Sequence, residues 1–340
     1  MSQFRNHVHV FRAIAIIGVV AAHSLQNFSW PSVGILYPAL DTLFNQSTIW
    51  FAFIAGYLFQ HLLPRFETVR YYRTKLRNVI VPYLIWSVPA LVASLFFIVQ
   101  DVPAYFYEGS LLKQILLFLV TGKHLAPFWY VPAISLIFLI APLLKWGDEY
   151  RILYVSVPLL LLLSAYLGRD GLVVALNLPL VCVALSKAVY LLAPYVMGMM
   201  ACRYREAIFQ LMKRIHWLVL LLVLIFFYLE INHYQQQHLY IYLFKMTSCF
   251  SLMYYLEKFG RVFGSRLNIV ADLSFGLFFI HGFILAATKI ILGELSDSPL
   301  LTGNLLTYMI FVTGVLLVCL LMLSLARAVL GRKSRWVVGC

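Results

Sequence analysis

Long runs of apolar residues, separated by short polar segments, dominate the chain. Two of the clearest are HWLVLLLVLIFFYL at 216–229 and NLLTYMIFVTGVLLVCLLMLSLA at 304–326. A stretch of about 20 apolar residues has the length that an α-helix needs to cross the hydrocarbon region of a bilayer. The pattern therefore predicts an all-α, polytopic integral membrane protein. We expect ten spanning helices, at 9–27, 43–63, 79–100, 126–145, 151–168, 187–203, 215–232, 238–256, 268–291 and 304–328.

One apolar stretch does not fit a regular span. GLVVALNLPLVCVAL, at 171–185, is short and is interrupted by Asn177 and Pro179. Irregular backbone at membrane depth is tolerated where protein or water satisfies its polar groups. We expect a re-entrant or interfacial element here. If the stretch spans instead, the count becomes eleven and the termini lie on opposite sides of the membrane.

The basic residues are concentrated in alternate connections between the predicted helices. One set of connections holds most of them, with a dense group between Arg65 and Arg77, and the two tails add more. The other set is poor in basic residues, and its segments 28–42 and 292–303 contain none. Cytoplasmic loops of membrane proteins collect Lys and Arg. Both termini are therefore expected in the cytoplasm, in agreement with an even number of helices.

Composition favours a single membrane domain. Hydrophobic residues make up 63% of the chain and charged residues 11%, whereas a soluble domain has about 25% charged residues. The longest polar connections, about 101–125 and 64–78, are too short to form a soluble domain. We therefore expect one transmembrane domain over 1–340, without internal repeats.

Charge and cysteine content exclude several classes of function. A net charge of +13 would suggest nucleic-acid binding in a soluble protein. Here the basic loops explain it, and no nucleic-acid-binding signature is present, so no nucleic-acid partner is expected. The five cysteines are scattered without a CxxC pair, which argues against a metal site and a disulfide framework. Membrane lipid is the expected surrounding partner, and a glycine-bearing face at Gly303–Gly314 would suit a homo-oligomer.

Two costly polar residues lie in the first apolar segment, FRAIAIIGVVAAHS at 11–24. Arg12 and His23 are eleven positions apart, which puts them on one helical face and about 16 Å apart along the axis. His23 is expected deep in the bilayer, where polar groups usually face a cavity and mark function. Alternatively, Arg12 extends to the interface and His23 hydrogen-bonds a neighbouring helix. These two residues alone do not decide between the interpretations.

A second histidine, His281 in LSFGLFFIHG, is expected at a depth similar to that of His23. Matched depth favours a shared site, whereas a hydrogen bond between helices is the structural alternative. A metal ion would need a third ligand at that depth, and since the sequence offers none, no metal site is predicted. Glu230, near the outer end of another helix, is a candidate substrate contact, although an interfacial role is the simpler interpretation.

Basic and aromatic residues at the two membrane surfaces provide further candidates. Arg73, Lys75 and Arg77 border the predicted cytoplasmic end of the third helix. As a cluster they suit a multiply phosphorylated ligand, although the positive-inside pattern explains each of them alone. On the outer side, Trp129 and Tyr130 suit either a sugar-stacking platform or an ordinary aromatic belt.

The order of these segments resembles the membrane-bound acyltransferase-3 family. RAIAIIGVVAAH, at 12–23, matches the family's motif of an arginine, ten residues and a histidine. Four later segments are similar to family segments in the same order: WFAFIAGYLF at 50–59, KLRNVIVPYLIWS at 75–87, HLAPFWYVPAISLIFLIAP at 124–142 and LSFGLFFIH at 273–281. The chain departs from the family at Ala55, where serine is usual, and at Phe275, where tyrosine is usual. No role of either hydroxyl is carried over.

The resemblance implies transfer of an acyl group, most often acetyl, from cytoplasmic acyl-coenzyme A to a hydroxyl of an extracytoplasmic or lipid-linked glycan. It places the protein among compact members of the bacterial inner membrane that modify surface polysaccharides. Acetyl-coenzyme A is then the acyl-donor substrate, and no permanently bound cofactor is expected. The acyl group, acetyl or succinyl, and the acceptor sugar stay open.

Roles for individual residues follow from the resemblance and the chemistry together. Arg12 and the basic cluster at 73–77 suit the phosphates of the coenzyme, and Arg12 also belongs to the expected catalytic set. His23 is the expected general base, because neutral imidazole is available at pH 7. An acyl-histidine intermediate is the alternative. His281 or a backbone amide is the candidate group for stabilising the oxyanion.

A carrier or flippase for a polysaccharide or small solute is the alternative function. Many helices and few charges allow it. The absence of internal repeats argues against it, because many transporter folds are built from such repeats. The basic cytoplasmic cluster also favours the acyltransferase.

Overall fold

The computed structural model describes residues 3–31, 34–234, 238–296 and 298–340, and for 3–6, 260–266 and 332 it describes the backbone alone. Nearly all of this chain is helical, which confirms the predicted all-α class. By length and apolar composition, six of the described helices are candidate membrane spans: His7–Asn27, Thr68–Phe96, Leu180–Arg203, Arg205–Asn232, Ser274–Leu295 and Leu305–Leu330. The pair Leu111–Thr121 and Ala126–Leu139, bent by 73°, is a seventh candidate. The predicted count of ten spans is not confirmed.

The helices are numbered in chain order. They are α1 (Gln3–Ser24), α2 (Leu36–Phe44), α3 (Thr48–Leu62), α4 (Thr68–Lys75), α5 (Val81–Phe96), α6 (Leu111–Thr121), α7 (Tyr130–Leu139), α8 (Ala141–Glu149), α9 (Ile152–Val155), α10 (Val157–Leu167), α11 (Gly171–Ala175), α12 (Val183–Arg203), α13 (Arg205–Asn232), α14 (His238–Asp272), α15 (Ser274–Leu295), α16 (Leu305–Leu330) and α17 (Ser334–Val337). A π-helical turn, Leu76–Ile80, joins α4 to α5. Two short strands, β1 (Phe28–Ser29) and β2 (Leu301–Thr302), pair in parallel.

Prolines divide two of the predicted spans. The predicted span 126–145 breaks between α7 and α8, and Pro142 lies in the first turn of α8. The predicted span 151–168 breaks between α9 and α10, with Pro158 in the first turn of α10. Proline has no N–H to donate and favours the first helical turn, so a new helix begins there. A third predicted span, 43–63, contains an α3 of only 15 residues.

Helix α6 was not predicted, because residues 101–125 were interpreted as a polar connection. Its ends carry ordinary helix signals. The Ser110 hydroxyl accepts the backbone N–H of Lys113 at 3.3 Å, and Gly122 ends the helix with a left-handed φ of 68°. Serine before a helix and glycine after it are typical caps. The apolar segment between them folds against the start of the next helical stretch.

The stretch 171–185 is divided into two parts. Residues 171–175 form α11, and a turn follows in which Asn177 has a φ of 47°. From Leu180 the chain is helical again and continues into α12 as one candidate span, Leu180–Arg203. A re-entrant or interfacial position stays a prediction for 171–179, and the structure joins 180–185 to the following helix.

Gly303 does not lie on an exposed helix face. It precedes α16, its N–H donates to the carbonyl oxygen of Ser29 at 2.8 Å, and the ring of Trp30 packs against it. Gly314 does lie on α16, with open space beside it. The glycine face suggested at 303–314 is therefore not formed as expected, and a homo-oligomer stays a prediction.

Helix α1 lies at the centre of the packing. It contacts α3, α14, α15 and α16, and residues such as Val10, Ile16 and Val20 are completely buried. Nearby, α3 and α12 approach so closely that a methyl group on Gly56 would overlap the backbone of Tyr195. Glycine permits this close contact because it has no Cβ. The polar residues of α1 are thus held inside a tightly packed group of helices.

Candidate functional site

Two separate cavities border the polar residues of α1. Arg12 borders one and His23 borders the other. Because α1 is continuous from Gln3 to Ser24, the two residues lie on one helical face, about 16 Å apart along the axis. We call the basic region around Arg12 the arginine cleft and the cavity bordered by His23 the histidine cavity.

Arg12 is fixed at the junction of α14 and α15. Its Nη2 donates to the carbonyl oxygen of Ala271 at 3.0 Å and to the Oγ of Ser274 at 2.7 Å. Hydrogen bonds from a guanidinium are stronger than neutral ones, so the half-buried side chain is held in one place. The motif on α1 is thereby connected to the start of the LSFGLFFIH segment.

His23 and His281 lie next to each other, with ring centroids 5.4 Å apart. His281 is fully buried, and its Nδ1 lies 2.8 Å from the carbonyl oxygen of Leu277. Since a carbonyl can only accept, Nδ1 carries a hydrogen, and Nε2 of the neutral ring is an acceptor. This Nε2 has no hydrogen-bond partner in the described part of the chain. It can therefore accept an N–H from a neighbouring ring and fix that ring's tautomer.

A metal ion held beside the two histidines would need a third protein ligand. Across the described ranges, no group of three or more His, Cys, Asp or Glu side chains is placed to hold a metal ion. The groups that the described residues offer for chemistry in this region are imidazole, guanidinium, amide and hydroxyl groups.

The histidine cavity has a volume of about 350 Å³ and a mixed polar wall. Amide, carboxylate, hydroxyl and ammonium groups all border it, from Gln26, Asp41, Asn45, Gln46, Thr48 and Lys123. Small-molecule sites commonly combine an enclosing wall with a few placed polar groups. A wall with many donors and acceptors suits a ligand that carries several hydroxyls.

Trp129 forms an aromatic part of the same wall. The Nζ of Lys187 lies 4.8 Å and the Cζ of Arg169 5.4 Å from the indole ring, within the range of cation–π contacts. Both cations also reach Asp170, at 3.7 Å and 3.6 Å. The positive charges on this side are thus partly neutralised within the protein itself.

The arginine cleft consists of two adjoining cavities with volumes of about 740 Å³ and 560 Å³. Five arginines border the larger one: Arg70, Arg73, Arg77, Arg327 and Arg335. Arg12 and Lys75 border the smaller one, whose wall combines apolar side chains such as Ile54 and Phe138 with polar ones that include Asp272 and Asn78. The cavities share Arg327 and Arg335 in their walls. The cleft therefore leads from a strongly basic entrance to an interior with apolar and polar side chains, among them Arg12.

The arginines of the larger cavity form no ion pair with any carboxylate that the structure describes. All five side chains are exposed, and within the described residues none has a carboxylate within 4.0 Å. Unpaired guanidiniums gathered around one cavity repel each other, and an anionic ligand would relieve this repulsion. Arginine is the preferred partner of phosphate because its planar donors fit two phosphate oxygens at once.

Aromatic rings connect the cleft with the histidines. Phe51 and Tyr130 border the smaller cavity of the cleft, with ring centroids 6.4 Å apart. Tyr130 contacts Phe278 at 5.8 Å, and Phe278 contacts His281 at 6.3 Å. The cleft and the histidine cavity share no bordering residue. A ligand that extends from the cleft to His23 would have to pass beside these rings.

Two of the candidate substrate contacts do not reach the histidine cavity. Tyr130 borders the arginine cleft, because consecutive helical residues point about 100° apart and Trp129 takes the direction of the histidine cavity. Glu230 borders a neighbouring cavity of about 590 Å³. Its carboxylate accepts the backbone N–H of Ile241, at 3.0 Å, in the first turn of α14. This is the position of a helix-capping carboxylate.

Several residues of both cavities were not predicted. Arg327, Arg335 and Trp336 belong to the C-terminal segment, where the basic residues were interpreted as part of the positive-inside pattern. Arg169 and Lys187 belong to the connection that is poor in basic residues. Their unusual location on that side was the signal that could have identified them.

The helical fold places a basic cleft and a polar cavity along one helix, with His23 and His281 next to each other. The chain belongs to the acyltransferase-3 family, whose sequence model, described as an acyltransferase domain, matches residues 6–324. This membership supports a multi-pass membrane O-acyltransferase that transfers an acyl group to a hydroxyl. No curated protein and no solved structure matches the chain.

Proposed function

We propose that the protein transfers an acyl group, acetyl in the simplest case, from cytoplasmic acyl-coenzyme A to a hydroxyl of an extracytoplasmic or lipid-linked glycan. The observation that carries the proposal is the placement of Arg12 and His23 at two different cavities along one face of α1. One cavity suits the phosphates of the donor, and the other suits a sugar.

The arginine cleft is the proposed donor site. Arg73 and Arg77 border its larger cavity, and Lys75 and Arg12 its smaller one. Coenzyme A carries a diphosphate and a 3′-phosphate at one end and an extended pantetheine arm at the other. The basic entrance suits the phosphates, and the apolar side chains of the interior suit the arm. Arg12 binds the donor in this proposal and does not touch the reacting atoms, since His23 lies about 16 Å further along α1.

The histidine cavity is the proposed acceptor site. Trp129 offers an aromatic surface to a sugar ring, and the surrounding amides and carboxylates offer hydrogen bonds to its hydroxyls. Tyr130 and Glu230 are not part of this acceptor site, because they border other cavities.

His23 is the proposed general base. A neutral ring nitrogen takes the proton of the sugar hydroxyl, and the oxygen forms a bond to the thioester carbonyl carbon. The carbon–sulfur bond then breaks, and the coenzyme leaves as a thiol with the proton from His23. The Nε2 of His281, which has no partner among the described residues, is proposed to accept the other N–H of His23 when the substrates bind, and this would keep the reacting nitrogen of His23 free of a proton. His281 is a positioning residue here and not an oxyanion donor, since its N–H is directed to Leu277.

The proposal includes an orientation in the bacterial inner membrane. The arginine cleft faces the cytoplasm, both termini are cytoplasmic, and the ten predicted spans are kept, with the shorter helices completing the six long ones. Arg12, near the start of α1, and Arg335, beyond the last long helix, border the same cleft. This proximity supports an arrangement in which both ends of the chain lie on one side.

The test is calorimetric titration of the purified chain with acetyl-coenzyme A. The Arg73→Ala/Arg77→Ala variant is expected to bind at least about 10-fold more weakly, because it loses two charge-assisted contacts. The matched control is Arg65→Ala/Lys258→Ala, which removes two exposed cations that do not border the cleft. Wild-type protein that is folded but does not bind acetyl- or succinyl-coenzyme A would overturn the donor site. Solute transport into liposomes without any thioester would then support a carrier.

A further inference from the structure

The C-terminal segment supplies part of the arginine cleft, although it lies beyond the family match. That match ends at residue 324. Arg327, Arg335 and Trp336 all lie further on, and all border the larger cavity of the cleft. The donor site of this chain is therefore completed by a segment to which family membership assigns no role.

Internal contacts hold the segment in place. The Ser334 hydroxyl donates to the carbonyl oxygen of Cys340 at 2.5 Å, and Ser334 and Val338 are 4% and 6% exposed. Gly339, with a left-handed φ of 81°, lies against Phe275 and Phe279 of α15. A folded segment with a buried face can hold its exposed side chains at fixed positions in the cleft.

The exposed side chains of the segment combine an aromatic plane with cations. The guanidinium of Arg77 lies 3.5 Å from the ring centroid of Trp336, and the tryptophan is still 40% exposed. Arg335 is also exposed and has no carboxylate partner among the residues described. Nucleobases stack on aromatic rings and guanidinium planes, and phosphates pair with guanidiniums. A ring beside unpaired arginines thus fits a phosphorylated nucleoside.

The order of the two cavities indicates which end of the donor would lie at Trp336. Trp336 borders the larger, basic cavity but not the smaller one, where Arg12 lies. The smaller cavity is bordered by apolar side chains such as Ile54 and Phe138, and from it the aromatic contacts lead to His281. An extended donor with its thioester directed to the histidines would leave its nucleotide at Trp336.

We infer that Arg335 and Trp336 bind the 3′-phosphoadenosine end of coenzyme A, with the adenine on Trp336 and the 3′-phosphate on Arg335. The inference rests on the proposed function, because it assumes that an acyl-coenzyme A is the donor. It makes the C-terminal segment a specificity element that distinguishes coenzyme A from thioesters lacking the 3′-phosphate or the adenosine.

The test compares acetyl-coenzyme A with acetyl-3′-dephospho-coenzyme A, titrated into full-length protein in phosphatidylcholine nanodiscs. Wild type is expected to bind the 3′-phosphorylated ligand about 10-fold more tightly, the value of one charge-assisted contact. Arg335→Gln should bind both ligands with about the same affinity, close to that of wild type for the dephosphorylated ligand. Trp336→Ala should weaken both ligands by a similar factor of about 5-fold or more, because a stacking contact is lost, and Trp336→Phe should recover most of the affinity.

The control is Lys333→Gln, which removes a positive charge from the same segment at a position that does not border the cleft. It should preserve the preference for the 3′-phosphate. Equal effects of Lys333→Gln and Arg335→Gln would mean that the segment attracts the ligand only through its net positive charge, and this would overturn the inference. Loss of the preference on adding phosphatidylglycerol would also overturn it, since the arginines would then bind lipid head groups.

The outcomes separate this inference from the function on which it rests. If wild type binds both ligands and the variants behave like wild type, only the role of the C-terminal segment is overturned. If wild type binds neither ligand, the donor proposal fails together with the inference. A 3′-phosphate preference that disappears specifically in Arg335→Gln supports both.

Discussion

The arginine cleft and the histidine cavity border the same helix, but they differ in whether their charged side chains are paired. The cleft gathers exposed guanidiniums, and no carboxylate pairs with them in the described chain. In the histidine cavity, Arg169 and Lys187 share Asp170, and Asp41 accepts a hydrogen bond from Tyr234. Unpaired exposed cations are available to an external anion, whereas paired charges form a fixed polar wall. The difference supports the proposal that the cleft binds the donor and that the cavity positions the acceptor.

The strongest test of this division is His23→Ala. General base catalysis contributes about 10²–10⁴ in rate, so transfer of labelled acetyl from acetyl-coenzyme A to membrane glycans should fall by about that factor. Donor affinity, measured by calorimetry on the same variant, should stay within about twofold, because His23 does not border the cleft. Normal glycan acylation by a folded His23→Ala protein would remove the catalytic role.

His281 offers a second, smaller test. Replacing His281 with Phe removes the acceptor beside His23, and turnover is expected to fall by about 10–100-fold, less than the loss expected when the general base itself is removed. The pH dependence of the residual rate should also change, because the tautomer of His23 is no longer fixed.

His124 is the matched control for His281. It is also buried, but Nδ1 lies 3.0 Å from the carbonyl oxygen of Phe118 and Nε2 2.9 Å from the Oγ of Ser87. Both of its nitrogens are occupied by Phe118 and Ser87. His124→Phe should lower thermal stability with little effect on the pH profile of the rate. Equal kinetic effects of the two substitutions would reduce His281 to a packing residue.

The parts of this site that the sequence predicted depend on short-range periodicity. The spacing of Arg12 and His23 places them on one helical face in any straight helix, and α1 is such a helix. The expected proximity of His281 to His23 rested on the same counting along each helix, and their rings are 5.4 Å apart. The caps of α6, Ser110 and Gly122, were visible in the sequence, but the helix between them is shorter than a typical span and was taken as a connection.

The parts that the sequence did not predict depend on contacts between distant segments. The hydrogen bond from Arg12 to Ser274 joins residues 262 positions apart. Arg335 resembles any basic residue of a cytoplasmic tail until the tail is seen to fold back on the cleft. Tyr130 and Trp129 are neighbours in sequence yet border different cavities. Such pairings are set by how helices pack, which a hydrophobic pattern does not specify.

Trp129 gives a moderate test of the acceptor side. Trp129→Ala should raise the KM for extracted membrane glycans by between about 2-fold and 10-fold, the range expected for one aromatic contact. Acetyl-coenzyme A affinity should not change, since Trp129 borders only the histidine cavity among the two regions. Trp129→Phe should retain part of the acceptor affinity. A weaker donor affinity with an unchanged glycan KM would reverse the assignment of the two cavities.

The smallest expected effect concerns Asp41, the half-buried carboxylate of the cavity wall. Burial raises the pKa of Asp41 above its ordinary value of 3.8, although hydrogen bonds from Tyr234 and Asn45 and the nearby cations Lys245 and Arg169 act in the opposite direction. The folded state therefore holds the proton more tightly than the unfolded state. As the pH rises from 3.8 through the pKa of Asp41 in the folded state, the free energy of unfolding decreases, because the charged form is costly to bury.

Asp41→Asn removes this pH-dependent loss and keeps a side chain of the same shape. Its melting temperature at pH 7 is expected to exceed that of wild type by a few degrees at most, since 1 kcal/mol moves Tm by about 2–4 °C in proteins of 150–250 residues. The difference should shrink as the pH falls toward 3.8, because the wild-type carboxyl then gains its proton. Asp101→Asn, at an exposed position, is the control and should show no such pH dependence. The opposite result would be a lower Tm for Asp41→Asn than for wild type at pH 7, with a deficit that shrinks as the pH falls. It would mean that the charged carboxylate stabilises the cavity wall, and that the charges of the cavity are paired more completely than those of the cleft.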